Sequence, residues 1–217
     1  MKRFILTLLL LTLPCQAQQH LAGLLAQSEA IVEVVCQHQA ANGNRFATHH
    51  PGVVVDPRGL VMMPGRLDQQ GPVTTVSVQL FRDGRPLPEL PAQLLFYDRA
   101  SQHSFVRVGS ATPLPAVTFS DQLPDTGDYV YSLARVRASH QNLQPVVVRR
   151  AFVESAAGLS AEGHRAIDRQ LSGLVFDQTG SVVGLFKASP QDLATAGSFV
   201  PAEHLQRVIG KAIAAAF

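Results

Sequence analysis

Through most of the chain, apolar and polar residues alternate over short stretches, the two-residue period of strands that lay one face on a core. Ile31-Val-Glu-Val-Val-Cys36 is the first such stretch and is rich in β-branched residues. Gly52-Val-Val-Val55 and Leu60-Val-Met-Met63 then flank Asp56-Pro-Arg-Gly59. Proline pre-sets one dihedral of that turn and glycine ends it, so the three segments predict a hairpin. Thr74-Thr-Val-Ser-Val-Gln-Leu80, Ala92-Gln-Leu-Leu-Phe96 and Phe105-Val-Arg-Val108 predict three more strands, with turns at Asn42-Gly43-Asn44 and Asp83-Gly84. Ser110 to Gly127 holds three prolines and reads as a connection. Beyond it, Tyr129-Val-Tyr-Ser-Leu133, Val146-Val-Val-Arg-Arg-Ala-Phe-Val153 and Ser198-Phe-Val200 are strand-like. So are the two apolar runs of Gly173 to Ala188, which enclose the turn Asp177-Gln-Thr-Gly180.

The period lengthens toward both ends. Leu21 to Ala30 reads as a short amphipathic helix. Pro201 opens a second one, expected over 201–216, with proline in the first turn and apolar residues at helical spacing. About a dozen short strands, a proline-rich connection and a closing helix predict an all-β double barrel, with halves over 31–109 and 127–200. No solenoid repeat or coiled-coil heptad interrupts that pattern.

Composition agrees with a packed domain: 46% of the 217 residues are hydrophobic and 16% charged. The first residues stand apart from it. Lys2-Arg3 precedes a leucine-rich run from Phe4 to Leu13, and Pro14-Cys-Gln-Ala17 ends in a small residue. That run is short for a bilayer span and suits a cleaved secretory signal over 1–17, hence a periplasmic or secreted protein. Cleavage removes two basic residues and no acid, leaving 18 − 2 = 16 Lys+Arg against 16 Asp+Glu. A formally neutral chain offers no single-sign field for nucleic acid or an anionic membrane. Cys15 leaves with the signal, so Cys36 has no partner and reads as a small buried apolar residue.

Three segments carry a family resemblance. The first is Gly52-Val-Val-Val-Asp-Pro-Arg-Gly-Leu-Val-Met-Met-Pro-Gly-Arg-Leu67, the second Tyr97-Asp-Arg-Ala-Ser-Gln-His-Ser-Phe-Val-Arg-Val108. The third is the hairpin of Gly173 to Ala188, together with Gly197-Ser-Phe-Val-Pro-Ala-Glu-His-Leu-Gln-Arg-Val-Ile209. In this order they resemble the protease domain of the HtrA (Deg) branch of the trypsin-like serine peptidases, roughly over residues 21 to 213. The resemblance implies a trypsin-like double β-barrel of two six-stranded Greek-key barrels and a peptide-binding cleft between them. No stretch remains for the PDZ domains many such peptidases carry.

Carried across residue by residue, the resemblance implies a lost catalytic triad. The family's general-base histidine falls on Arg66, its orienting aspartate on Gln102 and its nucleophile on Leu171. Arginine stays protonated and has no lone pair to take a proton, Gln102 brings no negative charge, and Leu171 has nothing to attack with. Arg169 stands where the oxyanion loop needs glycine. A one-residue deletion would put Ser172 at the nucleophile instead, as Ser172-Gly173. The alternative is therefore an active serine endopeptidase with a non-standard site at Ser172. A base for it is not evident: His103 is expected to point away from the cleft by strand alternation, and His49-His50 reads as a solvated loop.

Other chemistries find less support. His38, His49, His50 and His103 lack metal-ligand spacing, phosphate loops are missing, and no basic patch is interleaved with aromatics. No cofactor and no metal are expected. The resulting expectation is an inactive peptidase homologue that binds a peptide or protein by strand pairing in the cleft, a mode that needs backbone groups rather than the triad.

Overall fold

The computed structural model describes residues 22–125, 127–136, 144, 146–155, 158–160, 173–187 and 198–217. Residues 22–26 are helical and tighten into the 3-10 turn Gln27–Ala30, which delivers the chain to β1, Ile31–Gln39. β2 (Arg45–Asp56), β3 (Leu60–Pro64), β4 (Val73–Gln79), β7 (Leu90–Asp98) and β8 (His103–Val108) join it. These six close into a barrel in the order β1-β2-β3-β8-β7-β4, with antiparallel pairs throughout. β5 (Phe81–Arg82) and β6 (Arg85–Pro86) form a small separate ribbon around the predicted turn. Asp83 and Gly84 there have φ of 51° and 74°, the doubly left-handed geometry that suits the twist of a two-residue hairpin.

The strand alternation becomes the inside and outside of the barrel. Val34, Cys36, Val54, Val61 and Val106 are at most 1% exposed. A Cβ on Gly52 would meet the Val34, Val61 and Val32 side chains at 2.9–3.3 Å, so β2 turns that position inward with no room to spare. The opposite parity, from Ile31 and Glu33 on β1 to Met62 and Pro64 on β3, faces outward to the second half of the chain.

That half is an antiparallel sheet. β9 (Tyr129–Arg135), β10 (Val146–Ser155), β11 (Gly158–Ser160), β12 (Gly173–Phe176), β13 (Val182–Lys187) and β14 (Ser198–Pro201) lie in the order β11-β10-β9-β12-β13-β14. The proline-rich connection is an ordered strap between the halves. Leu114 N–H bonds to Pro57 O at 2.8 Å and Val117 N–H to Val54 O at 3.0 Å, both on the barrel side. Ser120 N–H and Val182 O then meet at 2.8 Å, and Val182 N–H and Thr118 O at 2.7 Å, on the sheet side.

Helix α1, Ala202–Ala216, begins after Pro201, whose φ of −61° and ψ of 152° are the extended backbone of a residue just before a helix. It buries Leu205, Val208, Ile209 and Ala212 against β13 and β14 of the sheet and β3 and β7 of the barrel. The chain ends with Phe217 between two guanidinium groups, Arg58 at 4.4 Å and Arg107 at 4.9 Å from the ring centre. One continuous apolar core results, reaching from Leu24 through the barrel to Leu174, Leu185 and Leu205. Among the described residues no helix is long and apolar enough to cross a membrane.

Candidate functional site: the cleft between barrel and sheet

Between the outward face of β1, β2, β3 and β8 and the strands β9, β12 and β13 lies a cleft of about 420 Å³. Its walls are largely apolar, with Ile31, Val53 and Met62 from the barrel facing Leu133, Leu174 and Leu185 from the sheet. Titratable groups are few but concentrated: Glu33, His49, His50, His103 and Arg135 all border it.

Arg135 ends β9 and joins the two halves. Its Nε donates to Ile31 O at 2.6 Å, Nη1 to Gln144 O at 3.0 Å and Nη2 to Ser28 O at 2.5 Å. Its guanidinium also lies 4.2 Å from the centre of the Phe81 ring. Burial, only partly offset by Glu29, pushes its pKa down to about 10, so at neutral pH it remains a cation satisfied by carbonyls and a ring face. None of those partners carries a full negative charge. The planar fork of donors is what lets one side chain hold three carbonyls at once.

Glu33 and His49 lie on neighbouring strands at the cleft, with Glu33 Oε2 3.2 Å from His49 Nδ1. His103 is 2% exposed, and its Nδ1 donates to Ser101 O at 2.6 Å. This placement corrects the expectation that His103 points away. Strand alternation does not reach across Gln102, because β8 begins at His103 and Gln102 sits in the preceding turn with φ of 60°. Gln102 is consequently exposed, whereas His103 turns into the interface and lines the cleft. The expected solvated loop at His49-His50 is likewise corrected: both residues belong to β2, and His50 bonds through Nε2 to Thr48 Oγ1 at 2.8 Å. Cys36 is fully buried, as expected, and burial raises its thiol to about 11 against a smaller opposing effect of its bond to Thr48.

Arg66 and Gln102 both lie on the surface, on neighbouring loops. Gly65 N–H donates to Gln102 O at 2.9 Å, tying the loop after β3 to the turn before β8. Arg66 spans Asp68 with both ends of its fork, at 2.9 and 2.6 Å, and lies 5.6 Å from the centre of the Tyr97 ring. Its side chain is 48% exposed. Neither Arg66 nor Gln102 lines the cleft; their neighbours Pro64 and His103 do. Arg169, Leu171 and Ser172 lie outside the described residues, and Gly173, next in the chain, borders the cleft.

Sequence reasoning missed Glu33 and Arg135. For Glu33 a signal exists: it is the one acid in the apolar run 31–36, on the parity opposite the barrel interior. Arg135 has no such signal, since its partners are carbonyl oxygens of residues far away in sequence. Among the described residues no cluster of His, Cys, Asp or Glu is arranged to hold a metal ion. No known family model matches the chain, and no curated protein does either.

Proposed function

We propose that this chain is a catalytically inactive homologue of the HtrA branch of trypsin-like serine peptidases, working in the periplasm or outside the cell as a peptide- or protein-binding module. The second half is read, on the same basis, as the second of two barrels. The observation that carries the proposal is the apolar cleft between a closed barrel and a second antiparallel sheet, bordered by strands and free of the triad side chains at the matched barrel positions. Arg66 supports the inactive reading twice over: it has no acceptor for a proton, and its guanidinium is engaged by Asp68 at the surface. An extended segment laid in such a cleft gains affinity from backbone pairing and from burying alternate side chains.

One observation favours a second reading. Glu33 and His49 form an acid–imidazole pair at the cleft, and Gly173, the residue that follows Ser172 in the sequence, borders the same cleft. An active peptidase using Ser172 would draw on those groups. A fluorophosphonate probe and unfolded casein separate the two readings. The inactive module shows neither labelling nor cleavage; labelling that disappears in Ser172→Ala establishes the active enzyme instead.

A further inference from the structure

The inward face of β1 and β2 carries a polar column inside an otherwise apolar barrel. β1 contributes Cys36 and His38, β2 contributes Thr48 and His50, and the register sets Cys36 opposite Thr48, Val34 opposite His50 and His38 opposite Phe46. His38 is 0% exposed and stacks on Phe46 with ring centres 5.0 Å apart.

The hydrogen bonds of this column have a forced direction. His38 Nδ1 lies 3.1 Å from Gly71 O, and a carbonyl only accepts, so Nδ1 carries the hydrogen. In the neutral ring Nε2 is then an acceptor, and Thr48 Oγ1 donates to it at 2.8 Å. The single hydroxyl hydrogen of Thr48, which also has Cys36 Sγ within reach, goes to His38 in this arrangement, so at 2.8 Å Thr48 accepts from His50 Nε2–H. Donation runs one way, from His50 through Thr48 and His38 to Gly71, and both tautomers follow from the carbonyl at its end.

Protonation tests this chain unequally. A proton added to His50 goes to Nδ1, and Nε2–H keeps donating to Thr48. A proton added to His38 occupies Nε2, removes the acceptor of the Thr48 hydroxyl and points two N–H groups at one oxygen. With both rings charged, two cations face each other across that oxygen, with His38 fully buried and His50 and Thr48 half-buried. Titratable and charged groups on the neighbouring elements are Glu33 and Cys36 on β1, Arg45 and His49 on β2, Arg66 and Asp68 at the turn before Gly71, and His103 and Arg135, which line the cleft with His50. Both carboxylates are engaged elsewhere: Glu33 is on the opposite parity and lies 3.2 Å from His49, and Asp68 is bonded by Arg66.

We propose that His38, Thr48 and His50 form an acid-sensitive latch: at neutral pH it holds β1 to β2 and anchors the loop before β4 through Gly71, and protonation of both imidazoles opens it. Gly71 ends the 3-10 turn Leu67–Gln70, which begins after Arg66, so release frees the loop that follows the cleft-lining Pro64. Burial, followed by the charges of His38 and His49, lowers the pKa of His50, in keeping with a column that resists its second proton until the solution is clearly acidic. This inference stands apart from the peptide-binding reading and does not require it.

Imidazole nitrogen NMR on the full chain at about pH 7.5 reads the tautomers directly. The latch requires His38 as Nδ1–H and His50 as Nε2–H; the reverse tautomer in either ring overturns it. Amide hydrogen exchange then reads the opening. Between about pH 7.5 and about pH 5 the protection factors of Gly71 and the β1–β2 ladder are expected to fall about tenfold or more, relative to those of the β3–β8 ladder. Thr48→Val, which cannot donate, is expected to lose that differential fall and Thr48→Ser to keep it. An unchanged differential in Thr48→Val, or no differential in the wild type, rejects the latch. Should Thr48→Val not fold, the wild-type tautomers and the Thr48→Ser exchange decide.

Discussion

Two arginines near the cleft have opposite surroundings, and their side chains do different work as a result. Arg135 is held by three carbonyl oxygens and the Phe81 ring, and bridges the two halves. Arg66 is held by its near neighbour Asp68 and lies over the Tyr97 ring, at the surface. Replacing Arg135 with Met keeps much of the aliphatic stem but leaves the carbonyls of Ser28, Ile31 and Gln144 without this donor. A loss of about 2–4 kcal/mol in urea unfolding is expected. Arg66→Ala, by contrast, is expected to leave the urea midpoint where it is, because exposed pairs contribute little. The same contrast explains what a reader of the sequence can find. Arg66 stands out because a motif surrounds it, while Arg135 gains its role from carbonyls that no pattern announces. His103 was legible as a residue next to a motif position but not in its direction, since the left-handed backbone of Gln102 resets the alternation.

At the scale of elements, the hairpins are the part most plainly written in the chain. Asp56-Pro-Arg-Gly59 folds as its residues dictate. Gly59 has φ of 102° and donates to Asp56 O at 3.0 Å, while Arg58 grips the Asp56 carboxylate at 2.9 and 3.1 Å. A Cβ on Gly59 would lie 2.5 Å from Val108 O, backbone that cannot step aside. Gly59→Ala is therefore expected to destabilise by about 2–4 kcal/mol, part from the positive φ and part from moving β8. Gly180, in the turn between β12 and β13, has φ of 86°, and a Cβ on it would lie 2.6 Å from Gly23 O. That turn thus packs on the segment before β1, a long-range contact invisible in the local pattern Asp177-Gln-Thr-Gly180. Closure of the barrel was legible from strand count and alternation. The order of the second sheet was not, because pairing between β9 and β12 joins residues far apart in sequence.

Across the whole molecule, the strap and α1 bind barrel to sheet, so the cleft is set by one shared core rather than by two loosely touching units. Leu205, fully buried on α1, is a direct probe: Leu205→Ala is expected to cost about 2–5 kcal/mol and to lower the stability of both halves together, as one unfolding transition. Stability should also respond to acid in two stages. His50 has its folded pKa below its ordinary 6.5, so its contribution is complete above that pH and is lost as the pH falls from there through the depressed folded value. Asp56, lowered from 3.8 by its bonds to Arg58, contributes above that value and is lost only as the pH falls further. Urea midpoints measured down the pH scale should accordingly decline first in weak acid and again below about pH 4.

Binding of an extended peptide in the cleft is the claim on which the account depends, and Val136 offers the cleanest way to test it. It borders the cleft yet is 43% exposed, so Val136→Arg charges the mouth without disturbing the core. Fluorescence polarisation of labelled, unfolded casein is the measurement. The account predicts that the wild type binds casein without cleaving it, and that Val136→Arg, folded as judged by an unchanged urea midpoint, binds at least about tenfold more weakly. Equal binding by the two proteins, or cleavage by the wild type, would contradict it.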